Sequence, residues 1–327
     1  MRLVMMGTGT FAEPTFQALL DSSHQVVGLV SQPDRPVGHE RGSTRQVGRS
    51  LKSVALEQDI PVFQPESINT PEGVAGLRAF QPELLVVAAY GQILSKDVLT
   101  IPSHGGINVH ASLLPKYRGA APVAWAIYQG ETRTGVTIIK MSASLDAGDI
   151  LAQEEVDIGP DETAGEVEGR LAVLGSRLAL QVIDQLATGA ARGTKQDKAQ
   201  ATKAPKLTKE HGLIDWSRHA RDVCNQVRAM QPWPTAYTYL HHHQGQQPMR
   251  LIICRSGWQE DSNGEPVPAG QVIVRPEDPS RLLVAAGAGT RVEILELQPA
   301  GKRRMPAAEF LRGHRFQAGD RFGPETL

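Results

Sequence analysis

Short apolar runs ending in glycine or polar breaks alternate with amphipathic stretches along the first half of the chain. Leu3 to Met6 is one such run and stops at Gly7. Phe11 to Leu20 then carries apolar residues at helical spacing, and Val26 to Val30 is a second β-rich run. Leu84 to Ala89 is continuously apolar, as strands covered on both faces of a parallel sheet are. Ile107 to Val109 reads as a short strand leading into a loop. Gly135 to Met141 and Ile150 to Ile158 read as further strands, and Glu162 to Leu186 has the periodicity of a long helix. This alternation predicts an α/β fold with a doubly wound, mainly parallel sheet.

The pattern changes near residue 190. Residues 192–209 hold six Lys or Arg against one Asp, with no large apolar side chain before Leu207, so 191–209 reads as a basic linker. Beyond it lie one helical segment, Ala220 to Met230, and then Pro232-Trp233-Pro234. Short β segments follow at Ala236–Leu240, Arg250–Cys254, Gln271–Val274, Leu282–Ala285 and Val292–Leu297. Short strands at this spacing predict a small OB-like β-barrel over residues 210–327. His241, His242 and His243 are consecutive, so in a strand their side chains alternate faces, and no metal site is expected there.

Composition narrows the class. A chain of 327 residues exceeds one ordinary core, which agrees with two domains, and 40% hydrophobic with 21% charged residues is ordinary globular material. No apolar run approaches the ~18 residues of a membrane span. The apolar run at the start is too short for a signal segment. Two cysteines make no disulfide framework, which points to a reducing cytoplasm. The net charge of −1 conceals an asymmetry: residues 1–190 hold 14 Lys+Arg and 21 Asp+Glu, residues 191–327 hold 20 and 14. A basic second part suits an anionic partner, although a chance imbalance on a solvated face reads equally well from charge alone.

Two segments could carry chemistry. Gly7-Thr8-Gly9-Thr10-Phe11-Ala12 lies between the first strand and first helix, but Ala12 stands where a dinucleotide fingerprint has its third glycine. A tight structural turn and a nicotinamide site both remain open there. Residues 106–122 are richer. Asn108 and His110 are two apart at a strand end, so their side chains share a face, and a carboxamide beside an imidazole suits a carbonyl that becomes an oxyanion. Pro115, Gly119 and Pro122 shape a rigid loop after them. Asp146, 36 residues beyond His110, could orient the imidazole and relay protons. Singly, each has an ordinary structural reading: a turn cap, a core histidine, a loop cap.

The segment INVHASLLPKYRGAAPVAWAIYQGETRTGVTIIKM, continued by SLDAGDIL, closely resembles the folate-dependent formyltransferase family. The resemblance implies a Rossmann-like first domain at 1–190 that binds 10-formyltetrahydrofolate, with Asn108, His110 and Asp146 as catalytic residues. It places the folate at Ser112, Leu113, Leu114 and Pro115, with Tyr90 and Gly91, and it makes the glycine turn structural or part of the acceptor side. No metal is implied. Three further segments resemble the family's tRNA branch: Ser31 to Pro36; Ile214 to Ser217 with Arg228 to Pro234; and Leu297 to Met305 with Phe310 to Gly313. The long loop after Asp34 departs from the family's lysine-rich pattern and carries arginines instead. Gly9 replaces a usual proline.

On that resemblance the partner is initiator methionyl-tRNA and the chain is a cytoplasmic monomer without membrane contact. Phosphates are expected along Lys203, Lys206 and Lys209 and at Lys302 and Arg303, and the mobile loop 36–49 is expected to present Arg41 and Arg45 to tRNA. The expected chemistry is attack of a neutral amine on a formyl carbon, with Asn108 and protonated His110 stabilising the oxyanion while Asp146 holds His110 and takes the amine proton. A sugar-nucleotide formyltransferase using the same donor is the nearest alternative. A nicotinamide-dependent oxidoreductase and a non-catalytic RNA-binding protein are the alternatives of other classes.

Overall fold

The computed structural model describes residues 1–34, 50–243, 245, 247–260, 267–275, 278 and 280–326. These form two compact units. The first comprises Met1–Val123, Thr132–Gly159 and Gly165–Lys206, and the second Ala124–Glu131, Pro160–Ala164 and Leu207–Leu327.

In chain order the first unit's elements begin with β1 (Arg2–Gly7), α1 (Gly9–Leu20), β2 (Gln25–Val30), α2 (Leu51–Glu57), β3 (Val62–Phe63), α3 (Pro71–Ala79) and β4 (Leu84–Ala88). Next come α4 (Lys96–Leu99), β5 (Gly106–His110), β6 (Arg118–Gly119), α5 (Pro122–Tyr128), β7 (Arg133–Lys140), β8 (Ile150–Asp157), α6 (Ala164–Ala187) and β9 (Lys203–Ala204). α5 and α6 each cross from one unit to the other. Seven strands form one sheet in the order β3-β2-β1-β4-β5-β7-β8. The first five are mutually parallel, and β7 and β8 add antiparallel at one edge. All five residues of β4 are buried, which is why that strand reads as unbroken apolar sequence. The chain leaves β1 for β2 on one side and returns to β4 on the other, so a topological switch point lies at the carboxyl ends of β1 and β4.

The glycine turn after β1 has a packing reason. A Cβ on Gly7 would sit 2.8 Å from both the Ala88 carbonyl oxygen and the Ala12 methyl, so β1, α1 and β4 close on one another there. Thr8 donates its hydroxyl to the Ala89 carbonyl at 2.7 Å. Farther along the sheet, Gly175 lets α6 approach the strands: a Cβ there would meet a Val109 methyl at 2.6 Å. No described helix is long and apolar enough to cross a membrane.

The stretch expected as a linker at 191–209 is built differently. Through Lys206 it belongs to the first unit. Thr194 bridges Ile150, and β9 pairs parallel with β6. Backbone hydrogen bonds hold it, among them Arg118 N–H to Thr202 O at 2.9 Å and Ala120 N–H to Ala204 O at 2.8 Å. Composition cannot reveal pairing made by the backbone of polar residues.

The second unit contains α7 (Ala220–Ala229), β10 (Ala236–His241), β11 (Met249–Glu260), β12 (Val272–Ile273), β13 (Leu282–Ala285), β14 (Thr290–Pro299), β15 (Met305–Pro306), α8 (Ala307–Gly313) and β16 (Arg321–Gly323). Its sheet runs β12-β13-β14-β11-β10-β16 and is antiparallel throughout. A bridge between Gln271 and Arg321 joins its two ends, giving the barrel expected from the strand spacing. Trp216 plugs the interior, stacked on Phe322 with centroids 5.7 Å apart, and its buried indole N–H donates to Thr238 Oγ1 at 3.0 Å. β11 and β14 are longer than their apolar cores suggested, because alternating polar residues continue both ladders past them.

Candidate active site

β5 ends at the crest of the sheet and aims Asn108 and His110 the same way, two residues apart. Asp146 arrives from the loop after β7. Asn108 donates its side-chain amide to Asp146 Oδ1 at 3.3 Å, and His110 Nδ1 lies 3.8 Å from Asp146 Oδ2. The three residues foreseen as a set are thus brought together. Asn108 can orient its amide only one way here, since a carboxylate accepts, and this leaves its second N–H for a ligand.

His110 is held from behind. Its Nε2 donates to the Tyr117 carbonyl at 3.0 Å; a carbonyl only accepts, so Nε2 carries the proton in the neutral ring. Nδ1, with a lone pair or a second proton, then faces Asp146. The gap of 3.8 Å is too wide for a direct hydrogen bond and leaves room for a water or a substrate group to bridge. Both side chains are nearly enclosed, with 5% of His110 and 10% of Asp146 exposed, so charge developing between them is poorly screened.

Three residues around this point have left-handed backbone: Tyr117 at φ 61°, Gly119 at φ 128° and Asp146 at φ 47°. Two carry side chains, at roughly 1–3 kcal/mol each, so neighbouring bonds must enforce the conformation. Those bonds are visible. The Gly119 N–H donates to Asp146 Oδ2 at 2.9 Å. Gln196 Nε2 donates to the carbonyls of Asp146 and Gly148 at 2.9 and 2.7 Å, and Arg118 donates to Gln196 Oε1 at 3.2 and 2.6 Å. Tyr117 N–H donates to Thr202 Oγ1 at 2.8 Å. Gly119 cannot bear a side chain, since a Cβ would stand 2.4 Å from the Ala204 carbonyl oxygen. Gly148 is equally confined, at 1.7 Å from the Lys140 carbonyl oxygen. The sequence reading missed Gln196, Arg118 and the Tyr117 carbonyl, and it saw Gly119 only as a loop former.

The residues expected to meet a folate occupy mixed environments. Ser112 is fully buried and donates to the Lys116 carbonyl at 2.7 Å. Thr137 donates to the Ser112 carbonyl and accepts from the Leu114 N–H, while Gln153 donates to the Leu114 carbonyl at 3.0 Å. Ser112 and Leu114 therefore build the loop from inside. Leu113 and Pro115 are half-buried, and the Leu114–Pro115 peptide is cis. The Tyr90 side chain points into the core among Val4, Met6, Val30 and Ile68, its hydroxyl buried without a hydrogen-bond partner among the described residues and pushed up to about 12 by burial. Its neighbour Gly91, at φ 83°, has no described atom within 4 Å of an added Cβ, and Ile93 is 65% exposed. The accessible surface at this end of β4 is therefore backbone, Gly91 and Ile93 rather than the Tyr90 ring.

Lys203 and Lys206 are exposed on the first unit, and Lys209 is exposed in a one-turn helix of the second, Lys209–Gly212. Lys302 and Arg303 are exposed at the turn after β14, where Arg303 pairs with Glu309. Arg41 and Arg45, with the rest of the loop expected to be mobile, lie outside the described residues.

Residues 1–183 match the family described as formyl transferase, and residues 206–315 match the formyl transferase C-terminal domain. The chain is 43% identical to a methionyl-tRNA formyltransferase of Geobacter sulfurreducens, covering 99% of this chain and 97% of that one. It is 40% identical to a methionyl-tRNA formyltransferase of Bacillus subtilis, with 98% of each covered. Among solved structures, an N-formyltransferase from Helicobacter canadensis in complex with folinic acid and dTDP-3-aminofucose shares the fold. The TM-score is 0.64 at 16% identity, over 91% of this chain and 98% of that one. With both halves matched and full-length relatives at this identity, the chain belongs to the formyl transferase family, in its methionyl-tRNA formyltransferase branch.

Proposed function

We propose that this protein moves a formyl group from 10-formyltetrahydrofolate to the amino group of methionine on initiator tRNA, using Asn108, His110 and Asp146. The observation that carries the assignment of residues is the convergence of all three side chains at one enclosed point. The full-length identity to methionyl-tRNA formyltransferases, against 16% to the sugar-modifying enzyme, favours charged tRNA over a sugar nucleotide as acceptor.

The donor supplies an activated formyl carbon when bound. The residues present suit such a group: among the described residues none crowds the Cβ direction of Gly91, Ile93 offers apolar surface, and Leu113 and Pro115 stand half-exposed on the loop after β5. The second Asn108 N–H and a protonated His110 Nδ1 are the donors available to negative charge on oxygen; one such donor is worth roughly 2.7–4 kcal/mol of barrier. Asp146 keeps a lone pair free after accepting from Asn108 and Gly119; with it, it can take the proton that the amine loses, and that proton would pass to the folate nitrogen as its bond to the formyl carbon breaks and tetrahydrofolate leaves. Tyr117 fixes the imidazole tautomer, so His110 presents Nδ1 and not Nε2 to the reaction.

In this reading residues 1–190 perform the chemistry and residues 210–327 form the tRNA platform. Lys203, Lys206, Lys209 and Lys302 supply phosphate contacts, each neutralised phosphate releasing counterions. Arg41 and Arg45 extend them. Activity belongs in the cytoplasm, where charged initiator tRNA is made. A thermal-shift titration tests the donor assignment. Tetrahydrofolate or its formyl derivative raises the melting temperature by mass action, and NADH does not. A shift with NADH and none with folates overturns it.

A further inference from the structure

Gln196 lies between Lys195 and Lys198 in the basic stretch that composition marks as a linker, and no reacting group touches it. Yet its side chain is partly buried and fully used. Both Nε2 bonds go to carbonyls of the loop that carries Asp146, and Oε1 receives two N–H groups from Arg118. The orientation of the amide is unambiguous, because the carbonyls only accept and the guanidinium only donates. Arg118 stands next to Gly119, whose N–H holds the Asp146 carboxylate. Gln196 thus ties together the two loops that meet at the catalytic carboxylate.

The same strand of chain makes a second set of ties. Thr202 accepts from Tyr117 N–H through Oγ1 and from Arg118 N–H through its carbonyl, and Ala204 accepts from Ala120 N–H. Tyr117 is the residue whose carbonyl fixes His110. Residues 196–204 therefore reach His110 through Tyr117, and Asp146 through Gln196 and Gly119. Asp146 sits at φ 47°, a conformation a non-glycine residue holds only under outside constraint. The Gln196 amide satisfies the Asp146 carbonyl in that conformation.

We infer that Gln196 is a positioning residue for formyl transfer: it holds Asp146 in its left-handed conformation, so that the carboxylate meets Asn108, Gly119 and His110. This rests on the catalytic assignment above. It also gives the basic stretch a second role, since the segment bearing Lys195, Lys198, Lys203 and Lys206 is the one that sets the catalytic loops. A phosphate backbone lying along those lysines would press on the geometry of Asp146.

The test uses Gln196→Ala and Gln196→Glu in the full chain. Glutamate keeps the length and can still accept from Arg118, but has no N–H for the two carbonyls. Formylation of charged initiator tRNA is measured for both variants beside the parent, with kcat and both KM values, and melting temperatures are recorded. A misplacement of about 1 Å is enough for a loss on the order of 10²-fold, so kcat is expected to fall 10- to 100-fold in both variants. KM for tRNA and for the donor, and the melting temperature, should stay close to the parent's. A kcat within twofold of the parent's in Gln196→Glu overturns the inference. So does a kcat loss matched by lower melting temperature or by an equal rise in donor KM, which marks a structural role only. An inactive parent overturns the catalytic reading together with this one, whereas an active parent with active variants overturns this one alone.

Discussion

Replacing Asp146 by asparagine removes one charge while keeping shape and backbone. Asparagine tolerates the left-handed conformation at φ 47° better than most residues, so the loop should keep its course. What changes is the pattern of donors. The carboxylate accepts at both ends, from Asn108 and from the Gly119 N–H; an amide can accept at only one, so one contact becomes donor against donor. The larger loss is electrostatic. A unit charge 3.8 Å from protonated Nδ1 is worth about 4 kcal/mol at an effective dielectric constant of about 20, a reasonable value for a site this enclosed. Lost wholly from the transition state, this is on the order of 10³-fold in rate; if half of it already acts in the ground state, about 30-fold. Asp146→Asn is therefore expected to lower kcat by about 30- to 10³-fold with the melting temperature within a few degrees of the parent's. Formylation of charged tRNA under saturating donor, with thermal unfolding as control, measures both. A folded variant whose kcat stays within threefold would remove Asp146 from the mechanism.

Three further substitutions or reactions test the surroundings. Gly119→Ala forces a side chain into φ 128° and against the Ala204 carbonyl oxygen; urea unfolding should show a loss of about 1–3 kcal/mol or more, and activity should collapse with it. An alanine variant as stable and active as the parent would contradict the local geometry. Thr238→Val leaves the Trp216 indole N–H and the Gly323 carbonyl without their shared partner, so the barrel should lose about 1–3 kcal/mol despite gaining an apolar side chain, read by Trp fluorescence during denaturation. A neutral result would show that the buried bonds are easily replaced. Burial pushes the Cys224 thiol up to about 11 and raises that of Cys254 as well, so at pH 8 both are protonated thiols. Alkylation of the native protein at pH 8 should be slow and become fast on unfolding; rapid native labelling of Cys224 would show that helix α7 opens.

Much of the architecture was legible because burial writes itself into sequence. The unbroken apolar run of β4 and the helical period of α6 follow from what each packs against, and Asn108 and His110 share a face because strands have a period of two. The short α3 escaped a reading based on apolar periodicity, although Thr70 capping the Gly73 N–H and Pro71 at the first helical position signal its start. Other features leave no apolar trace. β9 is two residues long and held by backbone bonds, so a lysine-rich stretch looked like a tether. Gln196 is invisible for the same reason: its importance lies in partners 48 to 78 positions away that polar composition does not announce. Conversely, Tyr90 follows an apolar strand as though placed at a ligand, but its ring turns into the core because Ala89 and Gly91 both take left-handed backbone and redirect the chain.

The central claim is most directly tested by the product. The purified protein is incubated with 10-formyltetrahydrofolate and, in parallel, with methionine-charged initiator tRNA, uncharged tRNA and an amino-sugar nucleotide, and the acceptors are analysed by mass spectrometry after release. The account predicts N-formylmethionine from the charged initiator tRNA, no formylated product from the other two, and loss of the signal in Asn108→Ala, His110→Ala and Asp146→Ala. Formylation of the amino-sugar nucleotide with none on methionyl-tRNA would contradict it.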